Sequence, residues 1–218
     1  MFPIGDDNSQ RRSLPVVTFV LIVINVLAFF AELSGGQAFI QEWAFVPRRF
    51  ADNPGGQAHT ILTSMFMHGG WLHLFGNMLY LWIFGDNVED EFGPLMFLAF
   101  YLLSGVAATM AQFYVSMQSG VPNVGASGAI AGVLGAYLLM FPSSRVRVLF
   151  YHQIVALPAI VVLGMWIVLQ LFSGIGSIAT TSQTAEQGGV AYMAHVGGFV
   201  AGFALTFLFR GRNRLRAE

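Results

Sequence analysis

Ser127 stands in Gly125-Ala126-Ser127-Gly128, and His195 stands in Ala194-His195-Val196-Gly197-Gly198-Phe199-Val200-Ala201-Gly202. A serine hydroxyl is a weak nucleophile until a base takes its proton. Histidine, which titrates near neutrality, is the usual base. Both residues lie near the start of long hydrophobic runs, where polar groups are costly and mark functional sites by default. The pair predicts hydrolysis carried out inside a membrane. His73 and Asn77 are four residues apart, so they share one helix face. Both carry side-chain N–H groups, and with the Ser127 backbone N–H they could hold the oxyanion of acyl transfer. His68 is a candidate supporting group for His73.

The elements that must position these residues are membrane helices. The chain has 218 residues, 56% apolar and 10% charged, against roughly 25% charged in soluble domains. Mean hydropathy is +0.66. A net charge of −1 offers nothing to nucleic acid, and the absence of cysteine excludes disulfides, thiol catalysis and Cys-ligated metals. Six segments are long or apolar enough to span at roughly 20 residues each: about 14–33, 70–89, 94–117, 125–142, 154–176 and 189–210. The first is too long for the ~7–15-residue core of a secretory signal and is read as a retained span. The expected organisation is one domain, 14–210, between tails 1–13 and 211–218. The loop 34–69, with Trp43, Phe45 and Phe50 among charges, is expected to lie at the interface.

Arginine placement orients the bundle. With the N-terminus inside, inner segments hold Arg11, Arg12, Arg145, Arg147, Arg210, Arg212, Arg214 and Arg216, and outer segments hold only Arg48 and Arg49. Both termini are therefore expected in the cytoplasm. Spans two, four and six then run inward from the outer side. Counted back from their inner charges, Ser127, His195 and His73 lie ~27, ~22 and ~20–24 Å out, all in the outer half of a ~30 Å hydrocarbon core. The fourth span is short, so Ser127 is expected below the outer surface in a protein-lined hollow.

Gly128 and Gly132 on the fourth span, and Gly198 and Gly202 on the sixth, form small-xxx-small faces that let backbones approach. These two spans are expected to touch, with Ser127 and His195 at the outer end of the contact. None of the chain's acids lies in the outer half of either span, and Glu186 falls in a loop. The expectation is a Ser–His dyad rather than a triad. Taken singly, Ser127 reads as a helix cap or packing residue, His195 as a buried hydrogen-bonded histidine, and His73 and Asn77 as bridges between helices. Their joint occurrence at one depth favours catalysis. His59 and His152 read as solvated or interfacial. Asp86, Glu89, Asp90 and Glu91 read as a wet cytoplasmic turn, with Glu89 available to an inner arginine.

Gly125-Ala126-Ser127-Gly128, Ala194-His195-x-x-Gly198-x-x-x-Gly202 and His68…His73-x-x-x-Asn77, in this order and on these spans, resemble the rhomboid family of intramembrane serine proteases. The resemblance covers roughly 14–210. It implies an all-α polytopic membrane protein, a six-transmembrane-helix rhomboid-like bundle with an interfacial first loop. It also implies a Ser127–His195 dyad, an oxyanion site at His73 and Asn77, and cleavage of substrate transmembrane segments near their outer ends. Two features depart from the family. An aromatic residue commonly stands four after the serine, against the histidine; here that position is Ala131, so either another aromatic such as Tyr192 holds the ring or the ring is less constrained. The family's Trp-Arg pair in the first loop is split into Trp43 and Arg48-Arg49.

The functional expectation is a serine endopeptidase acting on transmembrane protein substrates in membrane lipid, without cofactor or metal. Its setting is a multi-pass position in a prokaryotic plasma membrane. The fifth span and the loop 177–188 are expected to gate entry. The alternative is a catalytically silent rhomboid-like protein that binds transmembrane clients; retention of both Ser127 and His195 argues against it. A metalloprotease lacks its His-Glu-x-x-His spacing, an aspartyl protease lacks a second intramembrane aspartate, and a channel lacks a polar track through the inner half.

Overall fold

The computed structural model describes residues 2–9, 11–179 and 191–210. In chain order these form β1 (Phe2–Gly5), α1 (Val16–Trp43), α2 (Pro47–Asp52), α3 (Pro54–Gln57), α4 (Thr60–Thr63), α5 (Trp71–Phe92), α6 (Pro94–Val115), α7 (Ser127–Met140), β2 (Arg145–Phe150), β3 (Gln153–Pro158), α8 (Ala159–Ala179) and α9 (Tyr192–Phe209). By length and composition, α1, α6 and α9 can each cross a membrane; α7 is a shorter apolar helix, and α8 is apolar over Ala159–Ile175. α5 has 22 residues but carries four acids in its last two turns. Large apolar side chains such as Phe19, Leu27, Phe172 and Phe207 stand exposed around the bundle, as a lipid-facing surface requires.

α7 is the axis of the fold. It is buried from Gly128 to Tyr137 and packs against α5, α6 and α9. Its 14 residues make a helix of only ~21 Å, so its ends stop short of the ~30 Å hydrocarbon thickness.

α1 runs ten residues beyond its expected end but breaks at Gly36, whose φ of 55° ends the straight helix. The piece after the break belongs to the first loop. Arg49 there donates to the carbonyls of Gln41 and Ala44, closing the helix end. Phe45 is fully buried against Phe50 and Phe113, so this loop packs on the end of α6. Trp43 instead stacks edge-on with His59.

To the expected helical bundle the structure adds a three-stranded antiparallel sheet, β1-β2-β3. The fifth helix accordingly begins at Ala159 rather than 154, because 153–158 is spent on β3. The cause is the alternation Arg145-Val146-Arg147-Val148, which turns both valines fully inward and both arginines out. Tyr151, at φ 54°, makes the turn between β2 and β3.

The acidic end of α5 is not a wet turn. Asp86 and Glu89 are buried. Glu89 accepts from Val17 N at 2.8 Å, Thr18 N at 2.7 Å and Thr18 Oγ1 at 2.8 Å. It thus caps α1, which starts after Pro15 without a side-chain cap of its own. Arg11 pairs with Asp86 at 2.9 Å, and Ser13 and Arg12 bind Asp90. Asp6 accepts from Asn87 at 2.7 Å and Tyr137 at 2.8 Å. The N-terminal tail is therefore a folded strap across the ends of α5 and α7. The tail 211–218 and residues 180–190, with most of the expected gating loop and Glu186, lie outside the described residues.

Candidate functional site

The chain enters α7 through Gly125, whose φ is 134°. A side chain there would be strained and would also collide with His73: its Cβ would lie 2.9 Å from the ring atoms Cε1 and Nε2. This bare backbone lets His73, on the first turn of α5, reach the start of α7. Gly125 N–H is anchored on the Ser64 carbonyl at 2.9 Å. Ser127 is then the first residue of α7, and His195 is the fourth of α9.

α7 and α9 meet on glycines, as their spacing predicts. A Cβ on Gly198 would overlap the Gly128 carbonyl oxygen, one on Gly202 would overlap Gly132, and one on Gly135 would overlap the Phe199 carbonyl. At the end of this seam Ser127 Oγ lies 2.8 Å from His195 Nε2. That separation suits transfer of the hydroxyl proton.

Both residues line a cavity of about 760 Å³ together with His73, Asn77, Trp166 and Glu32. Gly69 N–H donates to His73 Nδ1 at 3.3 Å, leaving Nε2, which lies beside Gly125, as the ring's donor. Asn77 is buried, and its Nδ2 has no hydrogen-bond partner among the described residues. A buried amide donor left open in the same cavity as a serine hydroxyl is suited to a charge that develops only during reaction. The His68 ring packs edge-on against His73 at 5.2 Å, and its backbone N–H is held by Glu32 at 2.9 Å. Gly125, Gly128, Gly198 and Gly202 act through close backbone approach. Among the described residues no group of three His, Cys, Asp or Glu side chains is arranged to hold a metal ion.

The Rhomboid domain family matches residues 55–212. The chain belongs to the rhomboid family. This rhomboid is 32% identical over 195 residues to "Rhomboid protease GluP" of Bacillus subtilis (strain 168), an alignment covering 88% of this chain and 34% of that one. It is 31% identical over 153 residues to "RHOMBOID-like protein 5" of Arabidopsis thaliana, covering 70% of this chain and 44% of that one. With YdcA of Bacillus subtilis it shares 30% identity over 200 residues, covering 90% and 89%. It therefore spans well under two thirds of the first two relatives and most of the third. The family and the apolar helices make this rhomboid a multi-pass integral membrane protein.

Two residues beside His195 escaped the sequence reading. His195 Nδ1 lies 2.7 Å from Gln170 Oε1. The ring that packs against His195 is Trp166, at 5.8 Å between centroids, not Tyr192. Both come from α8, four residues apart. The signal was present: Gln170 is the lone polar side chain between Ala159 and Phe172, and a polar residue in an apolar run asks for a partner. A search restricted to acids passes over it.

Proposed function

We propose that this rhomboid is an intramembrane serine endopeptidase that hydrolyses peptide bonds in or near transmembrane segments of other membrane proteins. The observation that carries the reading is the 2.8 Å approach of Ser127 Oγ to His195 Nε2, beside a cavity that also holds the open Asn77 amide. A substrate helix enters laterally, unwinds locally and presents a carbonyl to Ser127. His195 takes the hydroxyl proton as Oγ bonds to the carbonyl carbon. The resulting oxyanion is held by the Ser127 N–H, His73 and Asn77. The C–N bond then breaks as His195 protonates the leaving amine, and water, deprotonated by His195, releases the acyl group.

In this reading α1, α5, α6, α7, α8 and α9 are six spans of one domain, with both termini cytoplasmic in a prokaryotic plasma membrane. The recessed start of the short α7 makes the site reachable from lipid or the outer side. The test is cleavage of a single-span substrate by purified protein, compared with Ser127→Ala and His195→Ala. Loss in both variants, with fluorophosphonate labelling of Ser127 in the parent, is expected. Activity surviving in either variant sinks the dyad; an inert parent leaves the client-binding reading.

A further inference from the structure

We propose that Gln170 is the positioning residue for the catalytic base, its side-chain carbonyl holding the Nδ1–H of His195 where a triad would use a carboxylate. The inference rests on the protease reading above. Two hydrogen bonds at opposite ends of one imidazole carry it: Nδ1 to Gln170 Oε1 at 2.7 Å and Nε2 to Ser127 Oγ at 2.8 Å. Nε2 can accept the serine proton only if it carries none itself, so the ring proton must sit on Nδ1. That proton needs an acceptor, and the amide oxygen is one. Among the described residues no acid is in place to do this. The groups facing His195 are Ser127 from α7 and His73 from α5, with Glu32 of α1 on the wall of the same cavity; Gln112 of α6 is turned to the Ala194 N–H instead.

Trp166, one turn before Gln170 on α8, packs a tilted ring against both His195 and Phe199. α8 thereby supplies two constraints, a ring against the imidazole and an acceptor at Nδ1, where Ala131 on α7 supplies neither. An amide suits this place. A neutral acceptor costs far less to bury in an apolar bundle than a carboxylate without a cation. In exchange it steadies the imidazolium less, so its contribution is chiefly to tautomer and orientation.

The test uses the full chain in detergent with Gln170→Leu, which keeps bulk and removes the acceptor, and Gln170→Glu, which restores one. Cleavage of a single-span substrate is read as kcat and KM. The His195 tautomer is read by 15N NMR of the imidazole. The parent is expected to hold the proton on Nδ1. Gln170→Leu is expected to give mixed tautomers and a kcat lower by about 10- to 100-fold, with KM little changed. Gln170→Glu is expected to recover most of that loss. An unchanged tautomer in Gln170→Leu, unchanged kcat, or a Glu variant as impaired as the Leu variant overturns the proposal. If the parent cleaves nothing, the protease reading fails by itself, and the tautomer comparison still decides the role of Gln170.

Discussion

Gly198 lies so close over Gly128 that a methyl group on it would overlap the Gly128 carbonyl oxygen. Gly128 directly follows Ser127, and Gly198 lies three residues after His195. The spacing of the Ser127 and His195 side chains is therefore a consequence of backbone contact between α7 and α9.

Gly198→Val must push these helices apart or fail to pack. Overpacking of this kind costs about 1–3 kcal/mol, and a displacement of about 1 Å can cost ~100-fold in rate. Both a lower thermal midpoint and near-complete loss of cleavage are expected. Wild-type cleavage by this variant would show that the seam does not set the Ser127–His195 distance.

Asn77→Ala removes a buried donor with no ground-state partner among the described residues. Its effect is expected in kcat, about 10²–10³-fold, with KM nearly constant and the folded state unharmed. A change confined to KM would assign Asn77 to substrate binding instead.

Glu89→Ala strips the cap from α1 and leaves the Val17 and Thr18 N–H groups without their acceptor. The expected loss is about 1–3 kcal/mol, read as a lower unfolding midpoint in detergent. Asp90, which is only half-buried, should cost less on the same substitution. An equal or smaller loss at Glu89 would contradict its role as the cap.

Burial pushes the Asp6 carboxyl up to about 7, with Asp86 nearby adding to the rise and the Tyr137 hydrogen bond opposing it. The folded state thus binds a proton that the unfolded chain releases near the ordinary aspartate value of 3.8. Stability from this group is full below the unfolded pKa and is lost as pH rises through about 7. The slope is at most about 1.4 kcal/mol per pH unit. Thermal midpoints measured from pH 4 to 8 should fall with rising pH, and Asp6→Asn should flatten that fall. An unaltered profile in the variant would remove Asp6 from the strap's energetics.

Much of the candidate site was legible because its signals are local. Ser127, His195, His73 and Asn77 announce themselves as polar residues at helical spacing in apolar runs. The small-xxx-small faces name the helices that meet, since a missing side chain permits only close packing. The sheet was also legible, in the alternation at Arg145–Val148, but arginines counted as topology markers concealed the period of two. Glu89 looked like a solvated charge because an uncapped α1 beginning some 70 residues earlier is a partner that only folding supplies.

The amino-acid sequence alone determined the membrane class, the serine and histidine, and the glycine seam between their helices, since these follow from composition and short-range periodicity. Tertiary structure alone decided what surrounds the histidine. Gln170 and Trp166 lie on α8, separated from His195 along the chain by the segment 180–190, and reach it only because α8 packs against α9. Spacing along one helix fixes which side chains share a face; which neighbour that face meets is set by how the helices close around α7.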